Sequence, residues 1–387
     1  MSRKCKIYWG LWPFSVLYGI GVRVRNLLFD WGLLRQERFP LPVICIGNLT
    51  VGGTGKTPHT EYLIRLLHES FRLAVLSRGY KRKSKGFVLA SPASRMEDIG
   101  DEPYQMARKF PDIRVAVDGD RCEGIRRLMA PEGAPDTEVV LLDDAFQHRY
   151  VQPGLSILLM DYHRPVECDQ LLPAGRLREP ASGKRRADLL VVTKCPPDLS
   201  LEACARIRQR IRPLPRQEVC FTTLAYGKLY PLFADTPAQS LDWLKEKEIL
   251  LVTGIASPTP LLEEVDRHAA RVTPLLFGDH HNFDGADMRK IAQQFHQLPE
   301  ARSLILTTEK DASRLIGHPQ LDDELKPYIY VLPIEVEFLH KGELVFNPKI
   351  IEYVRKNSRN RRLPEGEDAH SSRNSHHPGH GPGQSGA

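Results

Sequence analysis

Gly52, Gly53 and Gly55 precede Lys56 and Thr57 in the run Val43-Ile44-Cys45-Ile46-Gly47-Asn48-Leu49-Thr50-Val51-Gly52-Gly53-Thr54-Gly55-Lys56-Thr57-Pro58. Glycines at that spacing let a backbone turn its N–H groups inward around phosphate oxygens. The lysine ammonium reaches the outer phosphates, and the threonine hydroxyl offers a ligand to Mg²⁺. The loop from Thr50 through Val51, Gly52, Gly53, Thr54, Gly55 and Lys56 to Thr57 therefore reads as a cradle for a nucleoside triphosphate. Thr50 stands where the usual pattern has glycine.

A second element, Glu138-Val139-Val140-Leu141-Leu142-Asp143-Asp144, ends an apolar run on two carboxylates. A strand-end acid beside a phosphate loop engages Mg²⁺ directly or through water. Successive strand residues point to opposite faces, so Asp143 is the natural metal-side candidate and Asp144 is placed to orient another group. An acidic turn after a buried strand is the plainer reading of the same residues. Between the two elements lies Ile99-Gly100-Asp101-Glu102-Pro103. A carboxylate beside glycine at a helix start can approach a substrate closely, and phosphoryl transfer uses an acid to position or deprotonate the attacking hydroxyl. Taken alone, the segment is a good helix start.

These residues need a scaffold that brings strand ends together. Short apolar runs at 43–46, 73–76, 113–117, 139–142, 155–160 and 189–192, with helix-compatible segments between several of them, predict a doubly wound parallel α/β domain over 36–217. Residues 218–234 alternate Val, Phe, Thr, Leu and Tyr around Gly227 and read as a two-stranded hinge. A second, smaller α/β pattern follows over 235–356, with strand candidates at 249–252, 275–277, 304–307 and 328–332. Residues 357–387 hold Gly, Ser, Pro, Arg and His without periodicity and read as a disordered tail.

The 387 residues suffice for about two domains. The net charge of +6 is modest, yet basic residues cluster near the start and again from Arg72 to Lys85, which suits an anionic surface, a phosphorylated substrate or nucleic acid. Seven cysteines without a Cys-x-x-Cys pair point to neither a disulfide scaffold nor a zinc site. Residues 1–35 stand apart. No charge occurs from Ile7 to Val22, and Trp9, Trp12, Phe14, Tyr18, Phe29 and Trp31 crowd there. The uncharged stretch is short for a spanning helix and Pro13 interrupts it, so an interfacial membrane segment is expected.

The full set of motifs resembles that of the tetraacyldisaccharide 4′-kinase family, the lipid A disaccharide kinases of Gram-negative bacteria. The matching pieces are Gly47-Asn48 with Thr50 to Pro58, Ser77-Arg78-Gly79-Tyr80, Gly100 to Pro103, Asp143 to Arg149, Leu171 to Pro180, Val252 to Ala256, Asp279-His280-His281 with Phe283, and Thr307 to Ala312. They run in order over about residues 10–315, and Thr50 agrees with the family's own loop.

The resemblance implies a P-loop NTPase parallel-sheet domain closed by a smaller second α/β domain. It also implies ATP- and Mg²⁺-dependent phosphorylation of the 4′-hydroxyl of a tetraacylated glucosamine disaccharide 1-phosphate, giving lipid IVA. By matched position it makes Asp101 the base, aided by His280, with Asp144 a further catalytic carboxylate. It makes Thr57, Asp143, Gln147 and Glu102 ligands of Mg²⁺, Lys56 a phosphate contact, and Arg78, Tyr80 and Arg176 contacts of the glycolipid acceptor. The expected location is peripheral, on the cytoplasmic face of the inner membrane, with neither a nucleic-acid partner nor an obligate protein partner. Three rival readings fit less well. A membrane ATPase with a second loop lysine has Val51 in its place, a GTP switch built on Val192-Thr193-Lys194 meets Pro196 where its acidic base reader belongs, and the basic run after Arg78 lacks the interleaved aromatics of a nucleic-acid surface.

Overall fold

A computed structural model describes residues 7–358 apart from 235, 256, 257 and 280. His280, Ala256 and nearly all of the expected tail therefore lie outside the described residues, as do residues 1–6. The chain opens with helix α1 (Trp12–Asp30) and then builds a parallel sheet from β1 (Val43–Asn48), β2 (Leu73–Ser77), β3 (Val88–Leu89), β4 (Arg114–Val117), β5 (Val139–Asp143), β6 (Leu155–Asp161), β7 (Leu189–Thr193) and β8 (Glu218–Tyr226). Helices α2 (Lys56–Leu67), α3 (Met96–Ile99), α4 (Asp101–Lys109), α5 (Arg121–Met129) and α6 (Leu201–Ile211) connect them. A second sheet uses β9 (Tyr230–Pro231), β10 (Glu248–Thr253), β11 (Arg271–Leu276), β12 (Ser303–Thr308) and β13 (Ile329–Leu332), with α7 (Thr259–His268), α8 (Gly285–Phe295) and α9 (Glu309–Leu315). The chain then returns through β14 (Ile334–Phe338) and α10 (Glu343–Asn357).

The first sheet runs β14-β8-β7-β6-β1-β5-β2-β4-β3, antiparallel only at its two edges. Its central strands are Val-, Ile- and Leu-rich and buried on both faces, as parallel strands covered by helices must be. Leu63, Ile64 and Leu67 of α2, Met106 of α4 and Phe346, Ile350 and Val354 of α10 pack against Ile44, Ile46, Val75 and Leu141. Cys122, Ile125 and Leu128 of α5 and Cys204 and Ile211 of α6 pack on the opposite face, against Val43, Cys45, Leu142 and Leu190. Asn48, Ser77, Asp143 and Thr193 end β1, β2, β5 and β7 along one carboxyl edge, the edge at which open α/β sheets bind ligands.

Three expectations need correction. The two-stranded pairing is not made within 218–234: β8 pairs β7 in parallel and β14 antiparallel, while β9 joins β13 in the other sheet. Residues 334–356, counted with the second unit from the sequence, extend the first sheet and its core. Alternation locates strands but carries no record of which sheet a returning strand joins. The edge strand β11 also starts earlier than the sequence suggests, because only Leu275 is buried along Arg271–Leu276 and no apolar run marks it.

Helix α1 docks by its small residues. Ser15 and Gly19 are buried, the Ser15 hydroxyl donates to Leu171 O at 2.9 Å and accepts from Ala174 N–H at 2.8 Å, and a Cβ at Gly19 would lie 2.6 Å from Leu171 Cδ1. Trp9, Trp12, Phe14, Leu17 and Ile20 face outward, Trp9 being 68% and Leu17 67% exposed. Among the described residues, no helix is long and apolar enough to cross a membrane.

Candidate functional site

The loop after β1 closes on itself through side chains. Asn48 Nδ2 donates to Thr54 Oγ1 at 2.7 Å, the Thr193 hydroxyl at the end of β7 donates to Thr54 O at 2.9 Å, and Lys194 donates to Gly53 O. Gly52 and Gly55 adopt φ of 104° and 81°, conformations that a side chain would strain. Gly55 caps α2, so the positive end of the helix and the first-turn N–H groups of Lys56 and Thr57 open into the same hollow. His59, one turn on, is buried; its Nδ1 lies 2.7 Å from Gly55 O and its Nε2 2.9 Å from Thr222 Oγ1. Burial pushes its pKa down to about 4, and the neutral ring with its proton on Nδ1 satisfies both partners.

The two acids after β5 divide as strand geometry requires. Asp143 is buried between Thr60 Oγ1 at 3.0 Å and Ser77 Oγ at 3.2 Å, which donate to its two oxygens. Asp144 turns into the left-handed region with φ of 47°, which carries its carboxylate to the loop, 3.7 Å from Lys56 Nζ. Desolvation, then the negative charges of Glu102 and Asp144, push the Asp143 carboxyl up to about 7 against the opposing pull of Lys56. Asp144, rather than Asp143, is thus the carboxylate that faces Lys56.

The segment Leu171–Pro180 lies along the loop as a partner strand. Val51 N–H donates to Arg176 O at 2.8 Å and Arg178 N–H to Leu49 O at 2.7 Å. In an extended segment residues two apart share a side, and Arg176 and Arg178 both reach the loop: the Arg176 guanidinium lies 3.7 Å from the position of a Cβ on Gly52, and Arg178 Nη1 donates to Asp144 at 3.0 Å and to Gln147 Oε1 at 3.4 Å. Gln147 Nε2 donates to Asn48 O at 2.7 Å and Glu179 Oε1 at 3.1 Å. Glu179, almost fully buried, also accepts from Arg186 at 2.8 Å.

Asp101 and Glu102 occupy the first turn of α4 behind Gly100, whose φ is 92° and where an added Cβ would lie 3.0 Å from Tyr80 O and 3.2 Å from Gly79 C, so the segment after β2 packs against this turn. Asp101 forms an ion pair with Arg314 of α9, from the second unit. Arg78 stands exposed just after β2, and Tyr80 is 66% exposed with Lys81 Nζ 5.6 Å from its ring centroid. Lys56, Asp143, Asp144, Glu102, Gln147 and Arg176 are thus linked by contact or by charge around the loop, with Thr57 on its helix turn. Tyr80 makes no such contact among the described residues. Sequence reasoning missed Arg178 and Arg314; the two arginines spaced by two in Arg176-Leu177-Arg178 were the available signal for the first.

Asp120, Cys122 and His148 also come within metal-ligating distance of one another. Burial holds the Cys122 thiol protonated, up at about 11, so the soft ligand of the trio is not a ready thiolate; burial together with Arg121 keeps His148 neutral, down at about 4.

A family model described as Tetraacyldisaccharide-1-P 4′-kinase matches residues 7–350. The tetraacyldisaccharide 4′-kinase of Phocaeicola vulgatus is 56% identical over 356 residues, covering 92% of this chain and 97% of the relative. That of Bacteroides fragilis is 55% identical over 375 residues, covering 96% and 100%. The crystal structure of an "apo" form of LpxK from Aquifex aeolicus in complex with ATP superposes with a TM-score of 0.68 at 31% identity, covering 89% of this chain and 98% of that one.

Proposed function

Because the chain belongs to the tetraacyldisaccharide-1-P 4′-kinase family, we infer that its site transfers the γ-phosphoryl group of ATP to the 4′-hydroxyl of tetraacyldisaccharide 1-phosphate, giving lipid IVA. The protein is an ATP-dependent kinase of lipid A biosynthesis. The observation that carries the reading is the pairing of the Leu171–Pro180 segment with the phosphate loop, which sets Arg176 beside Gly52 and joins Arg178 to Lys56 through Asp144. Cations on two sides of one loop suit a transition state that spreads charge over the transferring oxygens.

In this reading Lys56 and the loop N–H groups bind the phosphates, and Asp101 accepts or positions the acceptor's 4′-hydroxyl. His280, outside the described residues, retains its expected role as the aid to Asp101. Arg176, Arg78 and Tyr80 lie on the acceptor's side. The donor set supports Mg²⁺. Thr57, Asp143, Asp144, Glu102 and Gln147 offer hard oxygens; burial first and then the charges of Glu102 and Asp144 raise Asp143 toward 7, and a small divalent cation would relieve the repulsion among the carboxylates. When bound, the ion would neutralise phosphate charge. Asp143, held by Thr60 and Ser77, and Asp144, beside Lys56, would help to hold it from the protein side.

The outward aromatic face of α1 supports attachment to the surface of the inner membrane, on the cytoplasmic side where ATP is present. A soluble helix hides its large apolar residues; the first half of α1 buries Ser15 and Gly19 and exposes its large apolar residues instead, and Arg23 stands exposed on the same helix to meet anionic headgroups. The division into a phosphate-loop unit and a second unit that closes on it is part of the same proposal, since closure excludes water as a competing acceptor.

The test is to incubate the protein with ATP, Mg²⁺ and the disaccharide 1-phosphate in detergent and to follow the lipid by mass. A lipid heavier by one phosphate, absent with Lys56→Ala, is expected. ATP hydrolysis without a phosphorylated lipid would overturn the reading.

A further inference from the structure

Asp101 ends a chain of buried polar contacts that begins in the second sheet. Asp311, fully buried near the start of α9, accepts from the Thr253 hydroxyl at 2.8 Å, Gly254 N–H at 3.0 Å and the Thr308 hydroxyl at 2.7 Å. One turn later Arg314, with only 2% of its side chain exposed, lies 3.4 Å from Asp311 through Nη1 and pairs through Nη2 with Asp101 Oδ2. At the other end of α4, Lys109 bridges Glu309 at the start of α9 to Glu61 of α2, at 2.6 Å from the latter. The helix that carries Asp101 is thus tied at both ends to α9, and one tie continues into the helix of the phosphate loop. Thr253, Gly254, Thr308 and Asp311 belong to two motifs to which the reading above gives no task.

A buried guanidinium needs carboxylate partners, and a plain domain tie would be served by any of them. The partner here is the carboxylate read as the base. We propose that Arg314 is a positioning residue for Asp101: it holds Oδ2, sets the plane of the carboxylate, and so orients the group that meets the acceptor hydroxyl. The Asp311 network holds Arg314 in that posture and makes the orientation of Asp101 depend on where the second unit sits. A cation on a base lowers its basicity. That loss is tolerable here, because in a loose phosphoryl transfer the attacking hydroxyl keeps its proton until late and placement outweighs basicity. This inference rests on Asp101 being the base, so the experiment separates the two.

The full-length enzyme is assayed with ATP, Mg²⁺ and the disaccharide 1-phosphate. Arg314→Ala is expected to lower kcat by about 30-fold or more with KM for ATP unchanged within about twofold. Added guanidinium ion should restore part of the rate. Arg314→Gln, which keeps a hydrogen bond and loses the charge, should lose less kcat than alanine, again with KM for ATP unchanged, and it carries the test should the alanine variant fail to fold. Asp101→Asn with Arg314→Ala should lose little more than Asp101→Asn alone. A KM for ATP that rises along with the fall in kcat, or losses that multiply in the double variant, overturns the positioning role while leaving Asp101 as base. A fully active Asp101→Asn enzyme overturns the base reading itself, and the inference with it.

Discussion

Lys56 Nζ lies 3.7 Å from Asp144 Oδ1, and Arg178 holds the same carboxylate at 3.0 Å from the other side. Asp144 thus sits between two cations and draws the lysine and the arginine together beside the phosphate loop.

Lys56→Ala should therefore leave the fold intact and lower lipid phosphorylation by about 10²–10³-fold, the usual loss when a charge aimed at the transition state is removed. Arg178→Ala should cost less, about tenfold or more, because Lys56 still meets the phosphates while Asp144 and Gln147 lose their shared donor. Steady-state kinetics with circular dichroism as the fold control checks both. An Arg178→Ala enzyme with wild-type kcat would make that arginine a structural prop.

Much of this site was legible in the chain itself. Gly-Lys-Thr after a β-branched run requires a loop that turns on glycines, and the paired acids after Leu142 required a second strand beside it; β1 and β5 are hydrogen-bonded neighbours in register from Val43 with Val140 to Ile46 with Asp143. Which acid faces the loop was not legible. Strand alternation alone favours Asp143, and the outcome turns on Asp144 entering a left-handed conformation, a tertiary effect held by Lys56 and Arg178. Nor could the sequence show that Arg314, 213 positions after Asp101, would reach it. Long-range ion pairs leave no periodicity. The return of β14 and α10 to the first sheet was hidden for the same reason: Phe346, Ile350 and Val354 announce an amphipathic helix but not its partner.

Asp143 should make the ligand-free protein less stable in alkali. Its folded pKa of about 7 lies above its unfolded value near 3.8, so the stability its protonated form contributes is fully present below the unfolded value and is lost as pH rises through about 7. Asp143→Asn keeps the contacts to Thr60 and Ser77 without a charge. Urea unfolding should find this variant at least as stable as wild type at pH 8.5 and no more stable at pH 4. Equal stability differences at both pH values would mean that Asp143 is ionised at little cost.

His59 should act at the opposite end of the scale. Its pKa falls from 6.5 to about 4 on folding, so its contribution is fully present above 6.5 and is lost as pH falls toward 4. The whole loss is on the order of 3 kcal/mol for a group this deeply buried. His59→Gln should lose less stability between pH 7 and pH 4.5 than wild type, although it begins lower because it gives up a fitted contact to Gly55 and Thr222. Parallel pH profiles for the two proteins would remove His59 from the acid sensitivity of the fold.

The face of α1 provides the last test, because its burial pattern has two physical consequences that can be measured apart. Ser15 and Gly19 dock the helix, so Gly19→Leu must collide with Leu171, lift the helix from the Leu171–Pro180 segment and disturb Arg176 and Arg178 behind it. Trp9, Trp12 and Phe14 lie largely exposed on the outward side. Replacing those three with serine should weaken sedimentation with anionic phospholipid vesicles by about tenfold or more, since even partial burial of three aromatic side chains is worth more than one decade in partitioning. ATP binding should be unchanged. Gly19→Leu should show the converse, with lost transfer and vesicle binding largely retained. Vesicle binding that survives the triple serine change would assign the membrane contact to another surface and leave the outward rings of α1 unexplained.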